Sequence, residues 1–369
     1  MGGLARGFSI TKRSMPMTQS SKGIVLLTGG AGFIGGHVVE RLIRSGYGVV
    51  NVDLLTYAGN PRSLSAVAGH DRYKFVKGDI CDRRLVAKLM AEYKPIILFN
   101  IAAESHVDRS IEDSADFIKT NIIGVCELLE CSLPYWRSLE GVARDNFRFI
   151  QMSTDEVYGS ISEGKFTVNS NYAPNSPYAA SKAAGDHMAR AYHITHGLPT
   201  IIVHASNTYG PRQYPEKLIP HIILSALNGS SLPVYGDGKN VRDWMHVNDL
   251  VGGLESVVCQ GRAGEVYNFS GCDERSNLDT VKLICATLNQ LSPGSENYEN
   301  NIVFVKDRPG HDFRYAMSAA EVKRKFEWNP TTSFEMGLRE TVAWYLANKA
   351  WCQEILERGY KMSRIGAAP

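Results

Sequence analysis

The stretch Gly29-Gly30-Ala31-Gly32-Phe33-Ile34-Gly35 restricts what this chain can fold into more than any other. Residues 23–28 before it read as a buried β-strand and residues 37–45 after it as a helix, so the glycines stand where a strand passes directly into a helix. Glycine at 29, 32 and 35 lets the backbone turn, approach a pyrophosphate and pack the helix on the sheet, with the helix amino terminus facing the phosphates. A second strand over 48–52 ends at Asp53, about twenty residues on, where a carboxylate can hold ribose hydroxyls. An acid at that point disfavours a 2′-phosphate, so the expected cofactor is NAD rather than NADP.

The alternation of strand and helix continues. Residues 73–77 give a third strand, followed by Gly78-Asp79-Ile80, where Asp79 either meets an adenine amino group or caps a helix over 82–92. A fourth strand over 96–101 runs into Ala102-Ala103-Glu104-Ser105-His106-Val107-Asp108-Arg109-Ser110. Its two alanines permit close approach of a cofactor. The polar cluster after them is dense for an ordinary loop, the plainer alternative being an Asp108–Arg109 pair. An amphipathic helix over 113–133 leads to a fifth strand over 146–152. Five strands alternating with helices predict an α/β fold, a Rossmann-type parallel sheet with helices on both faces.

At the carboxyl end of the fifth strand stands Ser153-Thr154-Asp155-Glu156-Val157-Tyr158-Gly159, where open parallel sheets place their reactive groups. Successive side chains on a strand point to opposite faces, so Asp155 and Glu156 can converge on one substrate only if the chain has already entered a turn, which Tyr158-Gly159 supplies. Tyr178 and Lys182, four apart at the start of a helix, share one face, which lets the ammonium stabilise a phenolate. The chain thus offers a base for a hydroxyl beside a separate acid and base pair.

After residue 205 the elements shorten and turns multiply, which predicts a first domain over 23–205 and a smaller α/β lobe over 206–350, with the chain crossing back to the first. Pro233-Val234-Tyr235-Gly236-Asp237-Gly238 is a hairpin signal. Lys217, Arg242 and Arg308, far apart in sequence, would form a diphosphate clamp if the fold brings them together. The 40 basic and 38 acidic residues are dispersed rather than striped, which makes nucleic acid a poor partner. Seven cysteines without a Cys-x-x-Cys pair point to a reduced, cytoplasmic setting and away from disulfides or zinc. His106 has no second ligand at a matching spacing, and His187, His193 and His196 read as surface or core residues of their helix, so no metal is expected. No apolar run is long enough to span a bilayer. Residues 1–22, with four basic residues and no acid, read as a flexible extension, and 351–369 as a C-terminal segment with a loose tail.

The glycine motif, Asp53 and the Tyr178–Lys182 spacing together resemble the extended short-chain dehydrogenase/reductases that act on nucleotide sugars, and within that group the TDP-glucose 4,6-dehydratase family. The likeness covers residues 22–346, including Ala102 to Ser110, Ser153 to Gly159, Pro215-Glu216-Lys217-Leu218-Ile219-Pro220, Arg242-Asp243-Trp244 and Asp307-Arg308-Pro309-Gly310-His311-Asp312. The Asp-Glu pair separates these dehydratases from the otherwise similar 4-epimerases. The resemblance implies that Tyr178 takes the proton of the sugar 4-hydroxyl, Lys182 lowers its pKa and holds the nicotinamide ribose, and Thr154 bonds the 4-oxygen. It further implies that Glu156 removes the C5 proton and Asp155 protonates the departing 6-hydroxyl.

By the same resemblance NAD would be held by Gly29, Gly32, Phe33, Ile34, Gly35, Asp53, Asp79, Ile80, Ala102 and Ala103 with Tyr178 and Lys182. The substrate would meet Ser105, His106, Asn207, Lys217, Leu218 and Pro233, then Arg242, Asn277, Arg308 and His311, with Tyr235 against the base. A homodimer is implied. His204-Ala205 and Thr208 depart from the Arg-Cys and Asn usual around Asn207, which bears on substrate geometry rather than on the reaction. The competing readings are a dehydratase or 4-epimerase of another nucleotide sugar such as UDP-glucose, and a non-catalytic NAD-binding regulator. The intact set of five reactive residues argues against the regulator.

Overall fold

Short runs rich in β-branched and aromatic residues make the strands of the sheet, the inner ones covered on both faces and one at the edge only partly buried. In the computed structural model, which describes residues 22–294 and 296–357, these are β1 (Ile24–Thr28), β2 (Gly48–Asp53), β3 (Tyr73–Lys77), β4 (Ile97–Asn100), β5 (Arg148–Thr154) and β6 (Thr200–Ala205). The expected extension before Lys22 and the tail after residue 357 lie outside the described residues. The helices between the strands are α1 (Phe33–Arg44), α2 (Arg83–Tyr93), α3 (Val107–Glu112), α4 (Ala115–Phe117), α5 (Val125–Ser138), α6 (Gly141–Asn146) and α7 (Pro177–His196). The single helix expected over 113–133 is α4 running through a π-helical segment, Ile118–Gly124, into α5.

The strands pair in parallel in the order β3-β2-β1-β4-β5-β6, so the connections reverse direction between β1 and β4. That reversal opens a crevice beyond the carboxyl ends of these strands, the place where such sheets bind ligands. β5 runs two residues further than its apolar pattern indicates, with Ser153 opposite His204 and Thr154 opposite Ala205. The turn therefore begins at Asp155.

The second lobe contains β7 (Asn207–Tyr209), α8 (Leu218–Leu227), β8 (Leu232–Tyr235) and β9 (Val241–His246). The chain then returns to the first sheet through α9 (Val247–Gln260) and β10 (Val266–Phe269), which pairs with β6 as a seventh parallel strand. It leaves again as β11 (Glu274–Ser276), α10 (Asn277–Leu291) and β12 (Ile302–Val305). α11 (Ala320–Phe326) comes back, α12 (Phe334–Ala347) departs, and α13 (Lys349–Glu357) closes the described chain. One core joins Leu27, Val39 and Leu42 to Leu250, Phe269 and Val322; another gathers Ile222, Ile284, Leu338 and Tyr345 in the second lobe.

The hairpin expected at 233–238 does not form. Gly236 and Gly238 do turn the chain, but β8 pairs in parallel with β12 while β9 pairs with β11 and β7. Leu232 and Val234 are drawn into the second core and Arg242 to His246 are buried beside β7, so the two strands diverge.

The glycine turn is tight enough to test by stability. A Cβ on Gly35 would stand 2.1 Å from the Gly29 carbonyl oxygen, whereas one on Gly36 would find its nearest neighbour at 3.6 Å. Gly35→Ala should cost about 1–3 kcal/mol or more by overpacking against backbone, seen as a fall in Tm. Gly36→Ala should be neutral or slightly stabilising, because helical glycine is the poorer residue. Equal melting temperatures for the two variants would contradict this account of the turn.

Candidate active site

At the amino end of α1 the N-cap position is Gly32, with no side chain to occupy the free N–H groups of the first turn. Gly29 adopts φ 75° and lies so close to β4 that an added Cβ would fall 2.6 Å from the Ala102 nitrogen. Asp53 ties the loops together, accepting from the N–H of Ala31 (2.9 Å) and of Leu55 (2.8 Å). Asn51 accepts from the N–H of Gly30 at 2.9 Å, a role that nothing in the glycine motif announces. Gly29, Gly32 and Asp53 open onto a cavity of about 310 Å³. All twelve residues assigned to the cofactor from sequence line it. The helix-capping alternative for Asp79 falls, because Asp82 caps α2 through the N–H of Leu85 (3.1 Å). Asp79 instead accepts from the N–H of Cys81 (2.9 Å) and pairs with Lys119 (3.2 Å).

The same cavity reaches the reactive stretch. Asp155 to Tyr158 make one 3₁₀ turn, ended by Gly159 at φ 82°, so Asp155 and Glu156 leave the strand alternation and both face the cleft region. Thr154 Oγ1 donates to Asp155 Oδ1 (3.2 Å) and accepts from the N–H of Glu156 (3.3 Å). Asp155 is 2 % exposed, and its Oδ2 is buried without a partner. Burial first, then the charges of Glu156 and Asp243, push its carboxyl well above the usual carboxylate range. Burial raises Glu156 as well, while Arg308, Lys217 and Arg242 pull it back toward the anion.

Tyr178 and Lys182 share one face of α7 as their spacing requires. Lys182 Nζ donates to the Met152 carbonyl oxygen at 2.6 Å, and burial lowers its pKa to about 8 against the pull of Asp186. Burial and then the Glu156 charge raise the Tyr178 hydroxyl, opposed by its hydrogen bond with Thr154. Lysine is thus engaged by the strand carbonyl, and the phenol's lowering contact in this structure comes from Thr154.

A second cavity of about 210 Å³ adjoins the first, sharing Glu156, Asn207 and Lys217 with it. His106, Leu218, Pro233, Tyr235, Asn277 and His311 line it, as do Arg242 and Arg308, so the three cations far apart in sequence do meet. Ser105 lines the first cavity and holds Lys217 Nζ on its carbonyl oxygen at 2.5 Å. Arg242 is fixed by the carbonyl oxygens of Val241 (2.7 Å) and Asp312 (3.0 Å) and lies 4.4 Å from the Tyr315 ring centre. Asp108 and Arg109 do not pair with each other. Asp108 accepts from Arg308 (2.9 Å) and Tyr235 (2.8 Å), while Arg109 stacks on Tyr57. Asn207 Oδ1, Asn277 Oδ1 and Arg308 Nε are buried without partners around this cavity, which is unusual unless something else supplies them.

A model of the GDP-mannose 4,6 dehydratase family matches residues 26–341. The chain belongs to that family. Among its relatives, a dTDP-glucose 4,6-dehydratase of Xanthomonas campestris pv. campestris is 51% identical over 345 residues, covering 93% of this chain and 98% of the relative. The Neisseria meningitidis serogroup B dTDP-glucose 4,6-dehydratase is also 51% identical, over 93% of this chain and 98% of its own length. A Streptomyces venezuelae dTDP-glucose 4,6-dehydratase solved with NAD and TYD bound superposes with a TM-score of 0.83 at 41% identity, covering 90% of this chain and 99% of that one. A Thermotoga maritima UDP-glucose 4-epimerase has the same fold at a TM-score of 0.77 and 29% identity, covering 88% of this chain and 99% of that chain.

Within the family fold, two residues besides Asn51 escaped the sequence reading. Glu216, almost wholly buried at the junction of the two cavities, accepts from Tyr57 Oη at 3.1 Å, and it lies inside a quoted motif without any spacing that singles it out. Tyr315 Oη stands 3.4 Å from Glu156 Oε2 and 2.7 Å from Asp312 Oδ2, brought there from a segment with no recognisable pattern. Of the departures, Thr208 donates to the Ser206 carbonyl oxygen (3.0 Å) and lines both cavities, whereas His204 is buried behind β5 and touches neither.

Proposed function

We propose that this chain is an NAD-dependent hydro-lyase that converts dTDP-glucose to dTDP-4-keto-6-deoxyglucose. The observation that carries the reading is the 3₁₀ turn that sets a carboxyl whose pKa burial raises, Asp155, beside a second carboxyl, Glu156, next to Thr154 and Tyr178. An epimerase has no use for such a pair. NAD fits the residues present: the uncapped α1 terminus and Gly32 for its phosphates, Asp53 for a ribose, and Lys182 and Tyr178 at the nicotinamide end. When bound, it supplies reversible two-electron storage between C4 and C6 of the sugar.

Tyr178 takes the proton of the 4-hydroxyl while Thr154 steadies the 4-oxygen. A ketone at C4 makes the C5 proton acidic, and only then does Glu156 remove it. Asp155 gives its proton to the departing 6-hydroxyl, which leaves as water. Burial and the Glu156 charge raise the Asp155 carboxyl, which favours the protonated form that this step needs, and water loss should decline as pH rises through its folded pKa. Lys217, Arg242 and Arg308 suit a diphosphate, with Arg308 Nε free to bond it, and Tyr235 and Pro233 suit the base.

The test is incubation with dTDP-glucose and with UDP-glucose, followed by product mass. Loss of one water from dTDP-glucose is expected. A product of unchanged mass, or dehydration of UDP-glucose in preference, would overturn the reading. Seven free cysteines support a reducing, cytoplasmic setting, and no helix among the described residues is long and apolar enough to cross a membrane. We further propose a homodimer. Ile111, Ile118 and Ile123, 38%, 47% and 47% exposed along α3 and the π segment, offer apolar surface for a second copy to cover.

A further inference from the structure

Between Asp53 and Asn60 the chain forms an arch over the glycine turn, and both of its feet stand on Ala31. The Asp53 carboxylate accepts from the Ala31 N–H (2.9 Å), and the Asn60 N–H donates to the Ala31 carbonyl oxygen (2.9 Å). Leu54, Thr56, Ala58 and Gly59 of the arch line the larger cavity. Residues 54–60 belong to no helix or strand, and Leu55 takes the left-handed φ of 58°. A segment with so little regular backbone hydrogen bonding opens easily unless something packs against it.

The facing wall of the cavity, with Gln213, Tyr214 and Glu216, comes from the chain beyond β7. That wall is pinned on its own account, because Arg212 grips Glu40 of α1 with both terminal nitrogens (2.5 and 3.1 Å). The arch is held from outside. Tyr57 at its crown meets the Tyr214 ring edge-on at 5.4 Å and donates to Glu216 (3.1 Å). Ile355 of α13, 2% exposed, packs in one cluster with Tyr57, Ala58, Tyr214 and Trp351. Glu354 Oε2 stands 2.9 Å from Arg62 Nη1, just past the arch. The same helix is rooted in the second lobe: Cys352 is buried in that core, and the Trp351 ring lies 5.0 Å from that of Trp344. Nine residues of helix thus tie a first-lobe segment to the second-lobe core.

We propose that α13 is a latch that holds the arch shut over the bound dinucleotide and so keeps NAD on the protein from one turnover to the next. The reaction asks for such a device. The hydride taken from C4 goes back to C6, so the cofactor ends each cycle as it began and has no reason to dissociate. A closure set by packing, independent of the sugar, suits that need. This inference rests on the reading of the larger cavity as the NAD site.

The test uses the full-length protein as purified with its cofactor. Ile355→Ala and Trp351→Ala should each speed the release of bound NAD by roughly tenfold or more, since buried large-to-small changes lose packing and only part of that loss need fall on the arch. Neither residue lines a cavity, so kcat with saturating NAD should stay parental. Leu288→Ala removes packing from the second-lobe core outside the cluster that touches the arch, and should lower Tm while leaving release unchanged. A parental release rate in Ile355→Ala, or equal acceleration in Leu288→Ala, would overturn the proposal. The parent protein gives an independent reading should a variant fail to fold. Stripping NAD from it should raise amide hydrogen exchange in residues 54–60 and in α13 together, with α10 unchanged; exchange in α13 that is indifferent to the cofactor would overturn the latch. A parent that neither carries nor takes up NAD would sink the cofactor reading and the latch with it, whereas normal NAD content with an unmoved release rate sinks the latch alone.

Discussion

Glu156→Gln should stop the reaction half-way, with reduced nicotinamide accumulating on the protein soon after mixing with dTDP-glucose and dehydrated product appearing far later. Glutamine keeps the shape of the side chain and removes the base proposed for the C5 proton, a loss that typically costs on the order of a hundredfold to ten thousandfold. The earlier step should be spared for a reason visible in the structure. The Glu156 charge is the second cause, after burial, of the raised Tyr178 pKa, so neutralising it makes the phenol easier to ionise. Solvent deuterium should enter C5 slowly or not at all. Asp155→Asn is the complementary block, since C5 can still exchange while the 6-hydroxyl lacks a proton donor. If Glu156→Gln binds substrate but never reduces the nicotinamide, Glu156 acts before elimination; if it dehydrates at the parental rate, the pair is not the elimination site.

Tyr178→Phe should lose turnover by roughly a hundredfold to ten thousandfold at the oxidation step, with no rise in nicotinamide absorbance on mixing. The fold should tolerate the change. The residue is 9% exposed and its ring packs edge-on to Phe117 at 6.3 Å, a contact that does not involve the hydroxyl. Bound NAD, measured by absorbance after denaturing the purified protein, should match the parent, as should the affinity for the nucleotide diphosphate. Those controls separate a missing base from a collapsed site. Near-parental turnover would take Tyr178 out of the mechanism, and loss of bound NAD would assign it to binding instead.

What the sequence makes legible, and what it hides, divides by distance along the chain. The glycine turn, the 3₁₀ turn bearing Asp155 and Glu156, and the one-face placement of Tyr178 and Lys182 are local geometry, set by residues within a few positions of one another. The meeting of Lys217, Arg242 and Arg308 depends on three separate loops, and could be written beforehand only as a condition. The hairpin at 233–238 shows a local signal losing to tertiary pairing: its glycines made their turn, but apolar burial sent the two strands to different partners. Asn51, Glu216 and Tyr315 were hidden for the same reason, since each owes its place to contacts with distant segments.

The return of α9, β10 and α11 to the first sheet also governs how this protein can come apart. A chain that visited each lobe once would leave two separable pieces, joined by a single tether and free to melt in turn. Here the edge strand β10 and much of the packing beneath it are supplied by residues far beyond the first six strands. A fragment ending after β6 would lack part of its own interior, and the later half alone would carry a strand with nothing to pair. Denaturation should therefore be a single concerted event in which the walls of the cleft are lost together. A proteolytic nick between the lobes would leave the halves entangled rather than released.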